Sequence, residues 1–68
     1  MILQIFEKMI DAVPFRMSVR TPLTGERIVR FLIKRPSAGS VRWVTIPSSN
    51  LVLLKIARAA FASEIARG

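Results

Sequence analysis

Apolar residues recur along the first thirteen positions at a helical interval. At 100° per residue, Ile2, Ile5, Phe6, Met9, Ile10 and Val13 fall on one side, and Gln4, Glu7, Lys8 and Asp11 fall opposite. This pattern predicts an amphipathic helix packed on a core. Pro14 ends it, because the residue before a proline is pushed out of the helical region. From Phe15 the period becomes two: Phe15, Met17 and Val19 alternate with Arg16, Ser18 and Arg20, as in a strand with one face buried. "TPLTGE" supplies Pro22 and Gly25 for a tight turn, since proline presets one backbone angle and glycine accepts a positive one. A second strand follows, with Val29, Phe31 and Ile33 alternating against Ile28, Arg30, Leu32 and Lys34; "PSAGS" turns the chain again, and "VRWVTI" forms a third strand.

Ser48, Ser49 and Asn50 are candidate caps for a helix predicted from Leu51 to Arg67. That helix is apolar on two sides. Leu53, Leu54, Ala57, Ala60, Phe61 and Ile65 make a core stripe, whereas Leu51, Val52, Ile56, Ala59, Ala62 and Ala66 lie opposite it, interrupted by Lys55 and Arg58. Two apolar faces require two partners, so a homodimer is expected, with Val52, Ile56, Ala59, Ala62 and Ala66 at its interface.

The expected architecture is a single small basic α+β domain over residues 1–68. Its order is helix, three-stranded antiparallel meander, helix (αβββα), with both helices on one face of the sheet. This order resembles that of double-stranded-RNA-binding domains, and "KIARAA" is similar to their alanine-rich second helix. Where that family carries a glycine and lysine cluster that clamps phosphates, this chain has "PSSNLVLLK", with one Lys and no Gly. The resemblance therefore implies a topology and no phosphate clamp.

Charge sharpens the picture. The chain carries a net +7, from eight Arg and three Lys against four acids. Residues 14 to 50 hold seven of the cations and only Glu26 among the acids, and a localised field of this kind recruits polyanions. With helices on the Phe15, Met17, Val19 side, the other side of the sheet presents Arg16, Arg20, Arg30 and Lys34. Arg suits phosphate because its guanidinium bonds two oxygens at once.

The position of Trp43 depends on register, because a one-residue slip exchanges the faces of a whole strand. A four-residue loop pairs Leu32 with Trp43 and puts the indole on the open face; a five-residue loop pairs Ile33 with Trp43 and Lys34 with Arg42, burying Trp43 and exposing Arg42. An exposed Trp43 would give unpaired bases a surface to stack on. The candidate nucleic-acid-binding residues are therefore Arg16, Arg20, Arg30, Lys34, Arg42 and Trp43, with DNA or RNA as the expected partner. The alternative function is a homo-oligomeric interaction or assembly module built on the C-terminal helix.

Other classes recede. The chain has no His, Cys or Tyr, so catalysis would rest on carboxylates; Glu7 and Asp11 read as solvated surface, and no enzyme, cofactor, metal site or small-molecule substrate is expected. Leu51 to Leu54 and Ala59 to Ala62 are the longest apolar runs, far short of the roughly 18 residues of a membrane span. "MILQIFEKMIDAV" lacks the basic leader and cleavage site of a signal peptide, and a cytoplasmic setting is expected.

Overall fold

The computed structural model describes residues 2–67. Four strands, β1 (Ile2–Ile10), β2 (Val13–Thr21), β3 (Ile28–Ser37) and β4 (Ser40–Thr45), form one antiparallel sheet in the order β1-β2-β3-β4. Two short helices, α1 (Leu51–Ala60) and α2 (Ala62–Arg67), follow. This corrects the αβββα expectation. The first segment is a strand, the meander has four strands, and among the described residues the helices follow the sheet, from Leu51 to Arg67. The likeness in element order to double-stranded-RNA-binding domains falls with it.

The physical reason lies in what β1 can pair with. Ile2, Ile5, Phe6 and Ile10 are strong strand formers, and a turn brings them against β2. Asp11 and Ala12 both adopt positive φ, 49° and 64°, the backbone of a type I′ hairpin whose twist matches that of its strands. Nine consecutive residue pairs follow, from Ile10↔Val13 to Ile2↔Thr21. Pro14 sits opposite Met9; counted from the closing pair, this is a position without ladder hydrogen bonds to β1, so its missing N–H costs that ladder nothing. Helical periodicity in β1 is the by-product of a strand that is apolar on both faces.

The core occupies one face of the sheet. Phe15, Met17 and Val19 of β2, Phe31 and Ile33 of β3, and Ile46 after β4 are buried together with Ala57 and Phe61 from the helical segment. Phe6, Ile10, Leu53, Leu54 and Ile65 pack around them. Asn50 caps α1, its Oδ1 accepting from the Leu53 N–H at 3.2 Å. The predicted single helix is interrupted at Phe61, whose φ and ψ are −101° and 18°. Lys8 from β1 donates to the Ala60 carbonyl at 2.8 Å, occupying an acceptor of the helical ladder, and such insertions bend helices. The same ammonium pairs with Glu64 at 2.7 Å and lies 5.5 Å from the Phe61 ring centroid. One β1 residue thus fastens the start of the chain to its last turns.

Candidate nucleic-acid interface

The sheet face away from the helices is uncovered. Alternation along each strand places Arg16, Ser18 and Arg20 of β2, Arg30, Leu32 and Lys34 of β3, and Trp43 and Thr45 of β4 on it, because their neighbours in sequence fill the core. The β3–β4 hairpin turns on two residues, Ala38 (φ 51°) and Gly39 (φ 82°), between the paired Ser37 and Ser40. Both loop lengths considered from the sequence are thereby corrected: Trp43 lies opposite Lys34. The indole is consequently on the open face, half-buried among its neighbours.

Arg20, Arg30 and Lys34 are exposed. Ser18 pairs with Arg30 and Arg20 with Ile28, so the two arginines sit on adjacent rows of adjacent strands. Between them Ser18, Arg20, Ile28 and Arg30 line a small depression of about 40 Å³. Lys34 lies four residues along β3 from Arg30, about 13 Å at an ordinary strand rise. The three cations form a bent row from one end of the face to the other.

Arg16 is differently placed. Its guanidinium bonds the Glu7 carboxylate at 3.1 Å and stacks 4.1 Å from the centroid of the Trp43 ring, while its Nε is buried without a partner among the described residues. The Lys34 ammonium approaches the same ring to 5.8 Å. Trp43 therefore presents less free indole than an isolated surface tryptophan, and Arg16 has much of its bonding capacity engaged within the protein.

Arg42 is separated from the others. It pairs with Arg35 on the opposite side of β4 from Trp43, is exposed, and bonds the Ser40 hydroxyl at 3.0 Å. Sequence reasoning also missed part of the open face. Leu3, Ile5, Glu7 and Met9 of β1 share it with the cations, and Leu3, Ile5 and Met9 are 57%, 51% and 66% exposed. Reading odd positions of a strand from Leu3 to Met9 would have found them; the helical reading split them between sides. The helix residues Val52, Ile56, Ala59, Ala62 and Ala66 all lie exposed along α1 and α2, near Lys55 and Arg58.

Among the described residues, no helix is long and apolar enough to cross a membrane. No family model, curated protein or solved structure matches the chain.

Proposed function

We propose that the protein binds nucleic acid through the open face of its sheet, with Arg20, Arg30 and Lys34 taking phosphates. One observation carries this reading: four cations, Arg16, Arg20, Arg30 and Lys34, share an uncovered face on which Glu7 is the only acid among the described strand residues, and that acid is already paired with Arg16. An unbalanced positive surface of this shape attracts a polyanion at long range and bonds its oxygens at contact. Contacts to phosphate orient a strand without reading its sequence, so the binding is sequence-tolerant.

Arg16 acts differently from the other three. Held by Glu7 and stacked on Trp43, it orients the indole and contributes field more than a direct bond. A base stacking on Trp43 would have to use what the guanidinium leaves free, or displace it.

The test is a salt titration. Each phosphate contact contributes about −0.9 to the log–log slope on duplex DNA and about −0.7 on single strands. Arg30→Ala should make the slope shallower by roughly one and weaken all sequences alike. Unchanged affinity and slope in a variant with Arg20, Arg30 and Lys34 all replaced by Ala would remove the sheet face from consideration. An assembly module is the second reading, favoured by Leu51 and Val52, which are 71% and 70% exposed on α1.

A further inference from the structure

The free side of β1 is a second, independent feature of the molecule. β1 is the outermost strand of the sheet, and one of its two backbone edges is bonded to β2. Counting from the hairpin's closing pair Ile10↔Val13, hydrogen-bonded positions alternate. The N–H and C=O groups of Leu3, Ile5, Glu7 and Met9 therefore point away from β2, toward the free edge. Unpaired groups in a row are a template for another strand.

Proteins usually guard such edges with a proline, a bulge, or a charge pointing across the edge. None of these guards β1: it contains no proline, its nine pairs with β2 run without a slip, and its two charges are engaged within the protein, Glu7 by Arg16 and Lys8 by Glu64 and the Ala60 carbonyl. Its side chains are instead apolar and open, with Ile2 63%, Leu3 57%, Ile5 51% and Met9 66% exposed.

Charge identifies the occupant. A protein of net +7 repels its own copy, and most of its surfaces would make that worse. The opposite sheet edge carries Arg42 beside Arg35, and the outer side of α1 carries Lys55 and Arg58. β1 holds one acid and one base, Glu7 and Lys8, and is neutral. It is the strand along which two copies can approach at least electrostatic cost.

We propose that β1 pairs antiparallel with β1 of a second copy across a two-fold axis at Phe6, giving one continuous eight-stranded sheet. The register follows from three conditions. It must pair outward-pointing positions with each other, use the whole strand, and avoid like charges. Centring on Phe6 places Leu3 opposite Met9 of the partner subunit and Ile5 opposite Glu7 of the partner subunit, both at hydrogen-bonding positions. Ile2 then meets Ile10 of the partner subunit, and Lys8 meets Gln4 of the partner subunit. Centring on Glu7 would instead set two carboxylates face to face, which is destabilising. The interface is isologous and closes as a dimer. Leu3, Ile5 and Met9 of both copies form an apolar strip down the middle of the open face, with each copy's cations to either side.

Sedimentation equilibrium on the whole chain tests this, with circular dichroism to confirm folding. The unmodified protein should be a dimer. Leu3→Lys with Met9→Lys creates two like-charge pairs across the axis and should raise the dissociation constant at least about tenfold. Leu3→Glu with Met9→Glu should do the same although it lowers the net charge, while Leu3→Glu with Met9→Lys, which makes two opposite-charge pairs, should restore the dimer. Both positions of change, Leu3 and Met9, are exposed side chains that the fold does not bury. A monomeric unmodified protein overturns the proposal. So does a dimer that all three edge variants leave intact and that Val52→Glu with Ala59→Glu dissociates, which would move the interface to the helix.

Discussion

At Arg16, two interactions share one guanidinium: an ion pair with Glu7 at 3.1 Å and a stack on Trp43 at 4.1 Å. The pair is partly exposed, so its direct contribution to stability is small, and its main effect is to hold the indole's environment. Arg16→Ala should therefore raise the quenching of Trp43 fluorescence by acrylamide while changing the melting temperature little. Unchanged quenching would mean that the stack does not shield the ring. Because Trp43 is the only Trp and there is no Tyr, the signal has a single source. The same substitution should reduce the salt slope by less than Arg30→Ala does, since Arg30 makes no ion pair among the described residues and is exposed on the face. Equal slope changes for the two variants would show that nucleic acid displaces Glu7 from Arg16.

The elements show why part of the fold was legible and part was not. β2 was readable because one face carries Phe15, Met17 and Val19 and the other Arg16, Ser18 and Arg20, so period two stands out. The two apolar sides of the C-terminal segment were readable for the same kind of reason: Ala57 and Phe61 are buried while Val52 and Ile56 are exposed. β1 was not legible because it is apolar on both faces and the neighbours that decide its state lie in β2. The open face was half visible for this reason, its cations from the sequence and its apolar strip only once β1 had been placed. Trp43 reached the open face through a turn shorter than either length weighed from the sequence. Ala38 adopts φ 51° there, a conformation that sequence alone does not assign to alanine.

The turn between β1 and β2 offers a direct check of this account. Ala12 is held at φ 64°, which costs a non-glycine residue about 1 kcal/mol or more. Ala12→Gly should stabilise the protein by about 1 kcal/mol, less some entropy returned to the unfolded chain, visible as a higher urea midpoint. A drop in the midpoint would mean that the hairpin is not closed by this turn. Phe61 makes the opposite case: it is fully buried, 6.4 Å from Phe31 between ring centroids. Phe61→Ala should cost about 3–5 kcal/mol, a large share of the stability available to so short a chain.

At the scale of the whole molecule, an ion pair is one of the contacts that tie β1 to α2, and its chemistry makes the fold sensitive to acid. Lys8 on β1 and Glu64 on α2 meet at 2.7 Å. The hydrogen bond from Lys8, then Glu64's own backbone N–H, and then the Ser63 hydroxyl at 3.0 Å hold the Glu64 carboxyl below its ordinary value of 4.5. A carboxyl whose pKa is lower folded than unfolded adds stability above the unfolded value, and that stability is lost as pH falls through the folded one. The protein should thus weaken on acidification below about pH 4.5, with the start of the sheet loosening from the last helix first, since Lys8 joins them. The chain carries three other acids, Glu7, Asp11 and Glu26, so the contribution of Glu64 must be isolated by comparison. Glu64→Gln keeps the shape and an acceptor for Lys8 but removes the titrating group. Its urea midpoint should lie below that of the unmodified protein near neutrality, and the two should converge as the pH falls below 4.5 and the native carboxyl, held lower by Lys8, takes up its proton. Midpoints that stay a constant distance apart over the whole range would show that the tie is not electrostatic, leaving the Ala60 carbonyl bond to Lys8 and the packing of Phe6 and Ile10 to join strand to helix.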